Sequence, residues 1–70
     1  MTKSTSFKIG LTIERFRKAH KLSQEKLARL ADVSNNTLIN IESGRNKNPT
    51  IETLRKIAEA LSVSVDQLIE

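Results

Sequence analysis

Apolar residues recur every three or four positions along nearly the whole chain, and every such run is soon cut short. Ile9, Ile13, Phe16 and His20 fall at i, i+4, i+7 and i+11, one face of a first helix over about residues 8 to 20. Lys21 and Leu22 interrupt it. Ser23 is a good N-cap for a second helix that turns Leu27, Ala28 and Ala31 inward. Asp32 and Val33 make a tight turn, and Ser34 caps a third helix with Leu38 and Ile41 inward and Gly44 at its end. After the polar loop Arg45–Asn48 and Pro49, Thr50 caps a fourth helix with Ile51, Leu54, Ile57, Ala58 and Leu61 on one face. Ser64 with Gln67 three residues on has the form of a capping box, opening a last short helix with Val65, Leu68 and Ile69. No stretch alternates with period two for long enough to compete as a strand. The pattern predicts an all-α fold, five short helices around one core.

Seventy residues make one domain at most and bury only about 60% of the surface exposed by the unfolded chain, which excludes large enzyme architectures. The chain has no cysteine, hence no disulfide framework and no thiolate metal site, and it has one histidine, too few ligands for zinc. His20 reads as a helix-end residue. Nucleophile–base pairs and glycine-rich phosphate loops are absent from the sequence, so no enzymatic activity and no cofactor are expected. No apolar run approaches the roughly 20 residues needed to span a bilayer, and the first ten residues lack a signal-peptide core. A cytoplasmic location without membrane contact or small-molecule ligand is expected. Residues 1–7 read as a flexible arm and residues 8–70 as the folded domain.

The net charge is +4, unevenly spread. Lys3, Lys8, Arg15, Arg17, Lys18 and Lys21 face only Glu14 in the first 21 residues, and Arg45 and Lys47 stand together after the third helix. From Pro49 onward Glu52, Glu59, Asp66 and Glu70 outnumber Arg55 and Lys56. This asymmetry suits a polyanion on one side of the molecule.

Residues 24–43 carry the function. Two helices joined by a turn of three or four residues and crossing steeply form a helix-turn-helix. The crossing needs a small residue, which Ala28 supplies. The turn needs a residue that tolerates a left-handed backbone, which Asp32 does better than most non-glycine residues. Leu27, Ala31, Val33, Leu38 and Ile41 supply apolar positions in register. With LSQEKLA, IESGR and the tail IETLRKIAEALSV, residues 9 to 69 resemble the phage repressor and Cro-type helix-turn-helix family of transcriptional regulators; Asp32 replaces the usual glycine of the turn.

That resemblance implies a compact lambda-repressor-like domain whose third helix enters the major groove of duplex DNA. The stretch VSNNTLINIESG then makes sense. Asparagine is a mediocre helix former, yet three stand in this short helix. With Leu38 and Ile41 inward, Asn36 and Asn40 lie on the opposite side, Ile39 beside them and Asn35 at the N-terminal end. An asparagine amide can pair bidentately with adenine N6 and N7, and Ile39 can pack on a thymine methyl. Asn35, Asn36, Ile39 and Asn40 are therefore the expected base contacts.

Phosphate contacts position such a domain without reading sequence. Ser23 and Gln24 stand at a helix N-terminus, which attracts anions, and the resemblance assigns Gln24 a phosphate. Ser43, Arg45, Asn46 and Lys47 follow the third helix toward the same backbone, with Thr37 as an additional contact and the Lys3–Lys8 arm adding diffuse attraction. The resemblance also implies a partly buried ion pair, Arg17 with Glu42, tying helix one to helix three. It predicts a repressor that binds a near-palindromic operator as a homodimer. Pairing would occur around Val63 to Ile69, with the loop after Gly44 as a further dimer contact, and the free chain would be largely monomeric. Alternatives within the fold are the controller of a restriction-modification operon and an antitoxin; one outside DNA binding is a coactivator-like protein-binding module.

Overall fold

A computed structural model describes residues 5–69, with side chains from Lys8 onward. It contains α1 (Thr5–Ala19), α2 (Gln24–Ala31), α3 (Asn35–Glu42), α4 (Ile51–Leu61) and α5 (Val65–Ile69). No strand occurs among the described residues. Helix α1 packs on α3 and α5, α2 on α3 and α4, and α4 on α5. Ile13, Leu27, Leu38, Ile41, Ile57, Leu61 and Leu68 are completely buried where these helices meet.

Local chemistry sets each boundary. The Ser23, Ser34 and Thr50 hydroxyls accept from the backbone N–H groups of Lys26, Thr37 and Thr53, satisfying donors that a helix start leaves open. Ser64 and Gln67 form the reciprocal box: Gln67 N–H donates to Ser64 Oγ at 3.2 Å, and Ser64 N–H to Gln67 Oε1 at 2.9 Å. Asp32 ends α2 in the left-handed region at φ 59°, and Gly44 follows α3 at φ 84°.

The structure differs from expectation in three places. Helix α1 starts at Thr5 rather than residue 8, because no glycine or proline before Gly10 stops it; residues 1–4 of the expected arm lie outside the described residues. His20 does not extend the apolar face of α1. The helix has ended at Ala19, and His20 is exposed, with Nδ1 3.0 Å from the Phe16 carbonyl. Ile51 is not in the core either: it begins α4 beyond the edge of the packed interior and is 65% exposed.

Beyond the expected Arg17–Glu42 tie, α1 meets the backbone of α3 directly at Gly10. Gly10 is buried in mid-helix, and a Cβ there would stand 2.3 Å from the Ile41 carbonyl oxygen and 3.0 Å from that of Glu42. Glycine costs a helix interior roughly 0.5–1 kcal/mol relative to alanine. Here that cost permits backbone-to-backbone packing, which fixes the depth at which α3 sits.

Candidate nucleic-acid interface

Helix α3 is held from behind and open in front. Leu38 and Ile41 are fully buried, and Glu42 joins them at 8% exposure. The turn before α3 is closed by Val33 N–H donating to the Ala28 carbonyl at 3.0 Å. Asn35 and Asn36 are exposed at the N-terminal end, while Ile39 and Asn40 are half-buried. Ile39 is thus only partly open to solvent: α3 is short and closely flanked, so the sides of its outer face are shielded. The Asn40 carbonyl accepts from Asn46 N–H at 3.0 Å and Ser43 Oγ–H at 3.2 Å.

One charged network anchors the C-terminal end. Arg17 Nε and Nη2 donate to Glu42 Oε2 and Oε1 at 2.7 and 3.1 Å, both side chains being buried. Arg17 Nη1 donates to the Leu22 carbonyl at 2.8 Å. Gln24 Nε2 donates to Glu42 Oε1 at 2.9 Å. The guanidinium fork thus ties α1 to α3 and to the connection before α2, and Glu42 accepts three hydrogen bonds that offset its burial.

Gln24 has a role missed from the sequence. Its amide is turned to Glu42, and one of its two donors is spent there. This contact also places the start of α2 beside the end of α3. Ser23, Gln24 and the segment from Ser43 to Lys47 therefore border one end of α3. The exposed asparagines begin about 10 Å away at its other end, at 1.5 Å per residue.

The loop is a built turn. Ser43 Oγ accepts from Arg45 N–H at 3.3 Å, and Asn46 Oδ1 accepts from Asn48 N–H at 3.0 Å. Arg45 and Lys47 are exposed on it, and Asn46 is half-buried. Thr37 is half-buried, and its hydroxyl accepts from Ser34 Oγ–H at 2.7 Å, so it belongs to the cap of α3. The Ser23 hydroxyl is similarly engaged with Lys26 N–H at 3.0 Å.

Residues 13–68 match the helix-turn-helix family. The chain belongs to that family. It is 38% identical over 61 residues to the immunity repressor protein of Bacillus phage phi105, covering 87% of this chain and 42% of the repressor. It is 37% identical over 62 residues to the transcriptional regulator SinR of Bacillus subtilis, covering 89% of this chain and 56% of SinR. The chain thus spans about half the length of these relatives. The crystal structure of SinR in complex with DNA superposes with a TM-score of 0.86, covering 89% of this chain and 98% of that one. The restriction-modification controller C.AhdI of Aeromonas hydrophila, 29% identical, superposes with a TM-score of 0.88 over 94% of this chain and 98% of its own. The lambda-repressor-like architecture expected from the sequence is the one found. Among the described residues no helix is long and apolar enough to cross a membrane.

Proposed function

We propose that this helix-turn-helix domain reads duplex DNA through α3 and regulates transcription as a repressor. The observation that carries this reading is the outer face of α3. Asn35 and Asn36 stand exposed on a helix whose other face is locked into the core. That arrangement suits major-groove readout, where asparagine recognises adenine. Ser23, Gln24, Thr37, Ser43, Arg45, Asn46 and Lys47 hold the flanking phosphates, with Gln24 using its remaining amide donor. The determination of SinR as a DNA complex supports the same use of this fold.

The operator is near-palindromic, and two copies bind it through half-sites about one helical turn apart. Pairing runs through α5 and its approach, Val63 to Ile69, where Ile69 is 41% exposed. The chain is cytoplasmic and largely monomeric when free. A selection from random duplexes at two salt concentrations tests this reading. It should enrich a symmetric site containing adenines in each half. A pool with no enriched sequence at either salt concentration would reject it.

A second reading, control of a restriction-modification operon, is favoured by the near end-to-end superposition on C.AhdI. The enriched operator decides between the two once its genomic neighbours are read.

A further inference from the structure

We infer that the groove between α1 and α5 takes an acidic amphipathic helix of a partner protein. The groove, of about 450 Å³, is lined by Lys8, Thr12, Arg15, Phe16 and Ala19 of α1 and Gln67 of α5. At 100° per residue the α1 members fall within one stripe about 100° wide. Lys8 and Arg15, both exposed, form its outer edge, and half-buried Phe16, packed against the core, forms its inner edge. Thr12 and Ala19 lie between them.

The lining selects an anion. No carboxylate lines the groove, and neither Lys8 nor Arg15 belongs to an ion pair among the described residues. Gln67 adds a neutral donor. Its Oε1 accepts from Ser64 N–H at 2.9 Å and from Ser64 Oγ–H at 3.3 Å, so the capping box commits the carbonyl end of the amide and leaves Nε2 to donate.

Gly10 and Arg17, which meet α3, sit roughly 150–170° around α1 from the middle of the stripe. On the function proposed above, the duplex lies beyond α3, so these two cations are turned away from it. A phosphate backbone would also leave the Phe16 edge unused, whereas an amphipathic helix lays apolar side chains into such a groove. From Lys8 to Ala19 the stripe is roughly 16 Å long at 1.5 Å per residue, three turns of a partner helix. Lys8 and Arg15 are two turns apart, so carboxylates two turns apart on that helix match them, with apolar side chains on the edge that meets Phe16.

Selection of displayed random peptides of about 15 residues, four helical turns, against the whole chain tests this. No DNA is present, so failure here leaves the DNA-reading proposal standing. Enriched peptides should carry carboxylates two turns apart beside an apolar stripe. A synthesised one should shift the amide resonances of Thr12, Phe16, Ala19 and Gln67. Lys8→Gln with Arg15→Gln, checked for native helicity, should bind it roughly tenfold more weakly. Ala19→Arg adds a cation at the C-terminal end of α1, which the helix tolerates, but fills the groove. It should also weaken the peptide roughly tenfold, whereas diffuse attraction of an anion would be strengthened. The inference is overturned by a pool with no enriched peptide, by a peptide that shifts residues elsewhere, or by one that Ala19→Arg binds as well as wild type does. Benzoate that saturates the same four residues at lower concentration than the peptide would make the groove a small-anion site and overturn it too.

Discussion

Arg17 and Glu42 show how one pair can serve both fold and site. The carboxylate is buried and accepts from two guanidinium nitrogens and from Gln24, so its loss strands a charge among apolar neighbours. Glu42→Ala should cost about 3–5 kcal/mol, whereas Arg17→Met with Glu42→Leu should come much closer to wild type, because no charge is left unpaired. Urea denaturation of both variants checks this; equal losses would mean that the pair is worth its full contact energy. The asparagines should behave oppositely. Asn36→Ala and Asn40→Ala should lose roughly 1–3 kcal/mol on the operator and little on random DNA. Changing the cognate base pair should cost wild type about as much, and combining both changes should add little. Ile39→Ala should act at a thymine, mimicked by uracil, with some loss of stability because the side chain is half-buried. Equal losses on operator and random DNA would make the asparagines phosphate contacts. A lowered melting temperature with normal binding would make them structural.

At the scale of elements, α3 is positioned by a contact with no side chain in it. Gly10→Ala would press a methyl group against the Ile41 and Glu42 carbonyls, where backbone cannot yield as a flexible side chain would. The variant should lose about 1–3 kcal/mol despite the better helix propensity of alanine. Operator affinity should fall in the population that remains folded, because α3 has been displaced. Thermal melting beside a binding titration separates these effects; an unchanged melting temperature would mean that α1 and α3 tolerate more distance than the structure shows. What was legible in the sequence follows the same division. Caps at Ser23, Ser34, Thr50 and Ser64 were legible because their partners lie three residues away. Leu38, Ile57 and Leu61 were legible because helical period and burial coincide at helix centres. Ile51 was not, since periodicity cannot tell where the core ends. Left-handed Lys21 and Ser62, at φ 57° and 61°, were also missed, because neither residue type marks such a position. Gly10 carried a signal in being a lone mid-helix glycine, but its reason lies in α3, about thirty residues further along the chain. For Gln24 the sequence suggests a phosphate contact, and only the fold shows that its amide donates to Glu42.

For the whole molecule, charge asymmetry matters more than the total of +4. Bases gather on α1 and on the loop after α3, while α4 balances Glu52 and Glu59 with Arg55 and Lys56 and α5 carries only Asp66, so the charge offered to a polyanion is uneven along the chain. On the proposed function, orientation would precede reading: phosphates would attract the basic segments from a distance, and the asparagines would act only after docking. Arg45 and Lys47 are exposed on a turn braced by its own hydrogen bonds, so replacing their side chains should leave the backbone in place. Arg45→Gln or Lys47→Gln should therefore weaken operator and random DNA by similar factors. A phosphate that is no longer neutralised keeps its counterion, so the slope of log K against log salt should become shallower by roughly one per such phosphate. If two copies occupy the operator, one substitution frees a phosphate under each, and the slope should change by roughly two. A change near one would support a single bound copy. An unchanged slope would remove the loop from the phosphate set and leave the start of α2 to carry that role.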